Sequence, residues 1–259
     1  MTAPAFSIIT VVRNRVATIG QALDSLYCQT LADFEHVIQD ACSTDGTLER
    51  LAAAADPRQR LVSERDDGIY DGLNRALARA TGDYVGVLHS DDFLADARVL
   101  EDVARHFATT GADAVYGDLD YVAAADITRV VRRWRAGDWH PRRLARGWMP
   151  PHPALFLRRS VIERLGAYDS SYRIAADYES ILRYFGSGIS PAWLPRVLVK
   201  MRTGGASNRS LGHVLLKSRE DYRALRTHRI GGLGTLLWKN ASKLPQFVGR
   251  DMRAEAPAE

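Results

Sequence analysis

The sequence predicts an α/β protein in which a mostly parallel β-sheet is flanked by helices and followed by a helical, basic C-terminal tail. Short apolar runs alternate with stretches of helical length through residues 6–116. The 259 residues are 46% hydrophobic and 25% charged, which is typical of a globular chain and excludes an intrinsically disordered one. Two cysteines, Cys28 and Cys42, are too few for a disulfide framework or a cysteine-based zinc site.

The first half of the chain alternates predicted strands with predicted helices. Apolar runs rich in β-branched residues are typical of buried parallel strands, and they lie at 6–12, 34–39, 61–63, 84–88 and 112–116. Thr18 is expected to cap the first helix and Pro57 to follow the end of the second. The predicted helices are 19–27, 48–55, 69–80 and 97–109. Because strands joined through helices run in one direction, this order predicts a parallel sheet.

After residue 117 the alternation breaks. Residues 135–153 are rich in Arg, Trp and Pro and lack a period, which predicts a long loop. The remaining predicted elements are strands at 127–134, 154–157 and 193–201 and helices at 161–165, 175–185 and 211–226, with an amphipathic tail at 233–248. We therefore divide the chain into a main α/β domain, 1–207, and a helical basic extension, 208–259.

Charge is distributed unevenly, although the net charge is only +4. Residues 1–125 carry 20 acidic and 10 basic side chains, whereas residues 126–259 carry 11 acidic and 25 basic ones. This polarity suggests an acidic half that can hold a metal beside a half that meets anions such as phosphates. An uneven but merely solvated surface would give the same counts.

Targeting signals are lacking. No apolar run reaches the ~18 residues that a membrane span needs, and the start Met1-Thr-Ala-Pro-Ala has neither the basic nor the apolar region of a signal peptide. We expect a cytoplasmic protein, with the inner face of the plasma membrane as a candidate location. Nucleic acid is not an expected partner, since basic and aromatic residues interleave only faintly, in 134–148.

Acidic side chains follow three successive predicted strands. Asp40 follows the second strand, Asp66 the third, and Asp91 and Asp92 the fourth. The carboxyl ends of parallel strands form the edge at which such sheets bind ligands. Converging carboxylates repel one another unless a cation or a donor-rich ligand lies among them, and oxygen ligands suit Mg²⁺ or Mn²⁺ better than zinc. The glycine-rich dinucleotide fingerprint and the Walker A sequence are both absent.

Seven motifs occur in order within roughly residues 5–207. They are FSIITVVRN (6–14), QT (29–30), DACSTDGT (40–47), SERDDGIYDGLN (63–74), ATGD (80–83), LHSDD (88–92) and ADYE (176–179). Together they resemble the family 2 glycosyltransferases of the GT-A fold, the type found in bacterial exopolysaccharide and glycolipid biosynthesis. The resemblance implies the GT-A fold for the main domain.

The resemblance also implies a set of residues that bind a nucleotide sugar. Asp40 resembles the carboxylate that accepts from the base N–H, although it could instead open an Asx turn. Asp66 resembles a second nucleotide contact or a plain turn residue, and Asn74 could equally brace the fold. His152 could be loop surface and Arg202 a solvated side chain. The full implied set is Thr10, Asn14, Asp40, Asp66, Asn74, Asp91, His152 and Arg202.

A metal site is implied at Asp91 and Asp92, which resemble the Asp-x-Asp region that holds Mn²⁺ or Mg²⁺ against the diphosphate. The first aspartate of that motif is His89 here, so the ribose contact of that aspartate is not carried over. We expect His89 to be a packed, hydrogen-bonded side chain rather than a ligand. The simpler interpretation of the Asp pair is a helix N-cap.

Asp177 resembles the catalytic base of the family. The usual Glu-Asp pair is Ala176-Asp177 here, so only the second acid carries over. An inverting transfer needs one carboxylate to take the proton of the attacking hydroxyl. Glu179 is the competing candidate, although helix geometry turns it ~200° away from Asp177.

The function implied is an inverting, metal-dependent glycosyltransferase. It would move a sugar from a UDP- or GDP-linked donor to a hydroxyl of a lipid-linked glycan or glycolipid in bacterial surface polysaccharide synthesis. Two alternatives stay open. One is a sugar-1-phosphate nucleotidyltransferase, whose Gly-rich start is missing here, and the other is a non-catalytic nucleotide-sugar binding protein, which would have no need of a base.

The tail between Arg226 and Arg253 has two interpretations. Its apolar residues fall mainly along one side of a helix and Lys239, Lys243 and Arg250 largely along the other, as in helices that lie in a membrane interface. The same pattern suits a helix packed on the core or on a partner subunit. Pro245 must kink or end a long helix.

Overall fold

A nine-stranded β-sheet runs through the structure, a computed structural model that describes residues 3–54, 56–204 and 211–241. Its strands are β1 Phe6–Val12, β2 Phe34–Asp40, β3 Gln59–Ser63, β4 Tyr84–Val87, β5 Phe93–Leu94, β6 Ala114–Val122, β7 Val130–Trp134, β8 Leu155–Arg158 and β9 Pro191–Arg202. The helices are α1 Val16–Tyr27, α2 Thr47–Ala54, α3 Ile69–Arg79, α4 Val99–Thr110, α5 Pro141–Leu144, α6 Arg159–Leu165, α7 Ala176–Gly186, α8 Leu211–Thr227 and α9 Leu233–Ala241, with a 3-10 turn at His152–Ala154.

The first four long strands form the predicted parallel sheet, in the order β3-β2-β1-β4. All seven residues of β2 are buried, as expected of a strand covered on both faces. In the register of this sheet Val12 lies opposite Asp40, and Asp40 lies opposite Ser63. The loops that follow β1, β2 and β3 therefore start at one edge, which confirms the α/β prediction for this half.

The second half of the sheet mixes strand directions. Strand β8 is antiparallel to both β4 and β6, whereas β9 is parallel to β6 and antiparallel to the short β5. Strand β5 was not predicted, and β6 continues past the predicted end at residue 116. The apolar run stops there because Asp118 enters the strand, and its Oδ1 accepts from the Ala136 N–H and the Trp193 indole N–H.

Helix α1 begins at Val16, so the prediction that Thr18 caps it is wrong. Thr18 lies inside the first turn, and the cap comes from the loop after β2 instead. The Val16 N–H donates to Asp45 Oδ2 at 3.1 Å, and the Arg15 N–H donates to Thr47 Oγ1 at 2.8 Å. A cap from another loop has no local sequence signal, but it ties two loops of the same sheet edge together.

The predicted loop at 135–153 is anchored by aromatic packing rather than loose. The rings of Trp139 and Trp148 both pack on Phe185 of α7, with centroids 5.1 and 6.0 Å apart. The Trp148 indole N–H donates to the Ala136 carbonyl at 2.8 Å. The segment also contains α5, and its packing brings His152 to the sheet edge.

Helix α9 packs on the core with Lys239 facing inwards, so the prediction that Lys239 lies on the side away from the packed apolar residues is wrong. Lys239 is 2% exposed, its Nζ lies 2.9 Å from Asp221 Oδ2, and it stands 3.0 Å from the Tyr178 ring centroid. Thr235 donates to the Ala145 carbonyl. Leu233 and Trp238 are 65% and 60% exposed.

The rest of the predicted tail, including Lys243, Pro245 and Arg250, lies outside the described residues. Within the described ranges, no helix is both long and apolar enough to cross a membrane.

Candidate active site

A cleft of about 510 Å³ opens at the carboxyl edge of the sheet. Its volume falls in the range usual for ligand pockets. The loops after β1, β3 and β4 supply one side, and β6, β7, β9, α7 and α8 supply the other. Among the lining residues are five of the predicted ones: Asp66, Asp91, Asp92, His152 and Asp177.

Three carboxylates at this edge share an unusual feature: one oxygen is bound within the protein, and the other is buried with no partner in the described structure. Asp40 Oδ2 accepts from the Ser43 N–H at 3.0 Å and the Ser63 hydroxyl at 2.6 Å, while its Oδ1 has no partner. Asp66 Oδ2 and Asp92 Oδ2 are likewise unpaired. A buried acceptor without a donor costs about 1–3 kcal/mol, so these oxygens suit a ligand that brings donors or positive charge.

The unpaired oxygen of Asp66 depends on a glycine. A Cβ on Gly72 of α3 would lie 2.8 Å from Asp66 Oδ2 and 2.7 Å from a methyl of Val11. The other oxygen, Oδ1, accepts from the Gly68 N–H at 3.2 Å. Burial raises the pKa of Asp66. Gly72 therefore lets helix α3 approach closely without displacing the carboxylate.

Asp91 and Asp92 lie between β4 and β5 and fit a divalent cation. Asp92 is 2% exposed, and burial together with the neighbouring Asp91 raises its pKa well above the ordinary value. A cation beside the two carboxylates would offset both the burial of Asp92 and its repulsion by Asp91. The described residues contain no cluster of three or more acidic, histidine or cysteine ligands. Mg²⁺ is usually bound through one or two carboxylates together with phosphate oxygens and water.

Asp177 lies in the first turn of α7 and faces the cleft. Its Oδ1 accepts from the Tyr178 N–H at 2.8 Å and contacts the Tyr70 hydroxyl at 3.4 Å. Burial favours the protonated form, but His152 and the two lysines Lys217 and Lys239 outweigh it, so the pKa of Asp177 is lowered. The carboxylate is therefore ionised at neutral pH and able to accept a proton.

Glu179 does not reach the cleft. It is 4% exposed, its two oxygens accept from the Arg183 guanidinium at 3.0 Å, and its Oε1 also lies 2.8 Å from His228 Nε2. This carboxylate therefore forms a buried ion pair with Arg183 of the same helix. Of the two candidate bases, the structure places only Asp177 among the cleft residues.

Two histidines line the cleft next to Asp177. His152 Nε2 lies 2.7 Å from the Tyr168 hydroxyl, and burial lowers the pKa of His152 to about 4. The His89 ring lies 6.1 Å from the His152 ring, and burial lowers the pKa of His89 as well. Both side chains are therefore neutral at pH 7. They are polar groups that add no charge to the cleft.

Five predicted donor-binding residues do not line the cleft: Thr10, Asn14, Asp40, Asn74 and Arg202. Two of them, Thr10 and Asn74, are held by contacts within the fold. The Thr10 hydroxyl donates to the Leu88 carbonyl at 2.7 Å and is fully buried. The Asn74 amide pairs with both backbone groups of Tyr168, at 2.8 and 2.9 Å, and so joins α3 to the segment before α7. Bracing the fold, the alternative for Asn74, is what the contacts show.

Asn14 likewise shapes a loop instead of lining the cleft. Its φ of 53° is in the left-handed region, which Asn tolerates better than most residues. Its Oδ1 accepts from the Thr44 N–H, and its own N–H donates to the Ser43 hydroxyl, both at 2.9 Å. Asn14 thereby holds the loops after β1 and β2 together and leaves its neighbours Arg13 and Arg15 in the cleft wall.

Arg202 contacts Asp92, one of the two predicted metal ligands, through its backbone. Its N–H donates to Asp92 Oδ1 at 3.3 Å, and its guanidinium lies 5.4 Å from the Phe93 ring centroid. The side chain is half-buried next to the cleft, and its role in binding a donor stays a prediction.

Several cleft residues were not predicted from the sequence. Arg13, Arg15 and Arg173 bring positive charge, and Tyr121 and Trp134 bring aromatic rings. The two arginines after β1 carried a signal, since cations that follow a strand next to carboxylates are suited to a charged ligand. The aromatic pair carried none, because its position depends on how β6 pairs with β7.

Glu220 of α8 holds the backbone that leads into α7. Its two oxygens accept from the N–H groups of Arg173, Ile174 and Ala175, each at 2.9 Å, and it is 7% exposed. Ala175 is the N-cap residue of α7 and has no side-chain cap of its own. A residue from another helix therefore caps the helix that carries Asp177.

The sequence matches one family model and several known proteins. The model of the family "Glycosyl transferase family 2" matches residues 7–165. A PGL/p-HBAD biosynthesis glycosyltransferase of Mycobacterium tuberculosis is 35% identical over 225 residues, which is 84% of each chain.

Two solved structures have the same fold. Staphylococcus aureus TarS in complex with UDP-GlcNAc matches with a TM-score of 0.68 and 18% identity, over 87% of this chain and 65% of that one. The mannosyltransferase PcManGT of Pyrobaculum calidifontis, in complex with GDP-Man and Mn²⁺, matches with a TM-score of 0.63 and 18% identity, over 97% and 77%. At this identity the likeness shows the fold alone, and it confirms the predicted GT-A fold.

Replacing Glu220 tests the cap on α7. Glu220→Ala should lower the free energy of unfolding by about 3 kcal/mol, since three N–H groups, that of Ala175 buried, lose a charged acceptor. Hydrogen exchange should become faster at residues 173–175. Glu220→Gln, which keeps one acceptor oxygen, is the matched control and should lose less. Unchanged exchange at these amides in Glu220→Ala would contradict the capping role.

Proposed function

Because this chain belongs to glycosyl transferase family 2, and is therefore a glycosyltransferase, we propose that it transfers a sugar with inversion from a nucleotide-diphospho-sugar to a hydroxyl of a glycolipid or lipid-linked glycan. The observation that carries the proposal is the presence, in one cleft, of an ionised carboxylate, Asp177, and of the adjacent pair Asp91 and Asp92, of which Asp92 is buried. The first suits proton transfer from an acceptor, and the second suits a metal-bound diphosphate.

The donor would lie along the carboxyl ends of β1 to β4. The unpaired oxygens of Asp40 and Asp66 suit the N–H groups of a base and the hydroxyls of a ribose. Arg13 and Arg15 in the cleft wall suit the diphosphate. A UDP- or GDP-linked sugar has these groups, and the structural neighbours TarS and PcManGT were solved with UDP-GlcNAc and GDP-Man.

Asp91 and Asp92 would hold Mn²⁺ or Mg²⁺. The cation would supply positive charge for the departing diphosphate, a role that needs no protein acid. The unpaired Asp92 Oδ2 supports this assignment, and so does Mn²⁺ in the PcManGT complex. His89, buried and neutral at this end of β4, would leave the two aspartates as the charged groups facing the cation.

Asp177 would act as the base. The acceptor oxygen would attack the anomeric carbon from the face opposite the diphosphate, and the bond from that carbon to the diphosphate oxygen would break. The acceptor proton would pass to Asp177, whose free carboxylate form the surrounding charges maintain. His152 and Tyr168, joined at 2.7 Å, would form the wall beside it. The two alternatives, nucleotide transfer and binding without catalysis, have no comparable support, since the family match is to glycosyltransferases.

Peripheral contact with a membrane would bring a lipid-linked acceptor to this cleft. His213 of α8 lines the cleft, and the next two residues, Val214 and Leu215, are 51% and 68% exposed. Leu233 and Trp238 of α9 are also exposed. Exposed apolar side chains in the basic half of the chain, residues 126–259, suit an anionic lipid surface. The cleft would then open near that surface.

The metal assignment predicts that Asp91→Asn combined with Asp92→Asn abolishes transfer while the protein stays folded, because the leaving diphosphate loses its cation. Product formation from radiolabelled UDP- and GDP-sugars would be measured with Mn²⁺ and with EDTA. Asp33→Asn, an exposed substitution at the amino end of β2, is the control and should remain active. Full activity of the wild-type protein in EDTA would refute metal dependence.

The base assignment predicts that Asp177→Asn lowers turnover on the order of 10²–10⁴-fold, with the donor dissociation constant nearly unchanged. Calorimetry with the donor and an initial-rate assay separate the two effects. Exposed Asp138→Asn serves as the control. Loss of donor binding in Asp177→Asn would make Asp177 a binding residue, and an inactive but folded Glu179→Gln would exchange the two roles.

Membrane contact predicts that the protein floats with liposomes containing anionic lipid at low salt. Leu215→Ser combined with Trp238→Ser should reduce the floated fraction, because both side chains are exposed and apolar. Substitution is preferable to truncation, since removal of α9 would also remove the buried Lys239. Equal flotation of the variant, or no flotation of the wild type, would exclude these side chains as membrane contacts.

A further inference from the structure

The second half of the sheet presents an apolar surface to the cleft. Leu119 and Tyr121 are two residues apart on β6, so their side chains lie on the same face of the sheet. Trp134 of β7 lies opposite Leu119, and Met201 of β9 lies opposite Tyr121. Directly opposed residues share a face of a sheet, and all four line the cleft. We call these four residues the aromatic floor.

The floor is held in place from behind and from one side. Asp118 points to the opposite face of β6, where the Ala136 N–H and the Trp193 indole bind it. The Arg132 guanidinium lies 4.0 Å from the Tyr121 ring centroid and 5.9 Å from that of Trp134. Both rings are half-buried. The two rings are thus packed against the protein while part of each remains accessible from the cleft.

The floor lies beside the reaction centre and away from the expected nucleotide. Met201 is followed by Arg202, whose N–H binds Asp92 at 3.3 Å. Asp40 and Asp66 follow β2 and β3, at the other end of the strand order. A donor that spans from those carboxylates to Asp92 would therefore place its reacting carbon at the near end of the floor.

The chemistry of the floor selects its ligand. Leu119 is itself fully buried, so with Met149 and Pro153, which also line the cleft, the floor offers five accessible side chains. Their hydrogen-bonding groups are few: the Tyr121 hydroxyl and the Trp134 indole N–H. A bare sugar on this surface would lose water from hydroxyls that find few partners, which costs free energy. An aromatic ring or alkyl chain would gain from the same contacts.

We propose that the aromatic floor is the acceptor subsite and that it binds an apolar aglycone, an aromatic or aliphatic group attached directly to the unit that bears the reacting hydroxyl. The proposal rests on the proposed function, since it assumes that a donor occupies the Asp40–Asp92 side. It identifies the acceptor class as an amphiphilic glycoside or a phenol-like alcohol rather than a free polar oligosaccharide. Trp134 is its central contact.

Two small probes test the proposal: phenyl β-glucoside and methyl β-glucoside, which differ only in the aglycone. Ligand-observed NMR would give their dissociation constants for the full chain with UDP or GDP and Mn²⁺ present. The phenyl glycoside should bind about tenfold more tightly, as expected for partial burial of one ring. Octyl β-glucoside, kept below its micelle concentration, distinguishes an alkyl from an aromatic aglycone.

Trp134→Ala should abolish the preference for the phenyl probe, and Tyr121→Phe, which keeps the ring, should retain it. Val16→Ala, at an exposed apolar side chain that does not line the cleft, is the control and should behave as the wild type. Equal binding of phenyl and methyl glycosides, no binding of either, or an unchanged preference in Trp134→Ala would overturn the proposal. Failure of the proposed function would show differently, as a wild-type protein that neither binds nor hydrolyses any UDP- or GDP-sugar.

Discussion

The candidate site depends on three buried carboxylate oxygens that have no partner in the described structure. The sheet register places Asp40 at the end of β2, opposite Ser63, and the turn after β4 buries Asp92 beside Asp91. Each unpaired oxygen costs stability that the cores on both faces of the sheet must offset. Such a cost is typical of sites prepared for a ligand, and a metal-bound nucleotide sugar has the donors and the charge to remove it.

The other half of the site depends on helices beyond the stretch that matches the family model. Glu220 of α8 caps α7, and Lys239 of α9 contacts the ring of Tyr178, the neighbour of Asp177. These contacts cross residue 207, at which we expected the main domain to end. The division at 207 stays a prediction, but the residues beyond it help to position and ionise the candidate base.

Much of the fold and of the candidate site could be predicted from the sequence, because these parts depend on local patterns. The parallel strands show continuous apolar runs, and carboxylates follow them, so Asp66, Asp91 and Asp92 were found. Asp177, on a helix, was found only through the resemblance of its motif. Long-range pairings could not be predicted. Asn74 binds backbone 94 residues away, and Lys239 turns inwards because Asp221 lies buried opposite it. The floor residues required the register of a hairpin whose bulge lies between Tyr121 and Val122.

The central claim is that the buried, unpaired carboxylates lower the stability of the free protein in exchange for binding the donor with its metal. The most direct measurement is the unfolding temperature of wild type and Asp92→Asn at about pH 8, where raised carboxyl pKa values cost most, with and without a nucleotide sugar and Mn²⁺. The account predicts that free Asp92→Asn unfolds at a higher temperature than free wild type. It also predicts that only the wild type gains stability from donor and Mn²⁺ together. A less stable free variant that still gains the full stabilisation would contradict it.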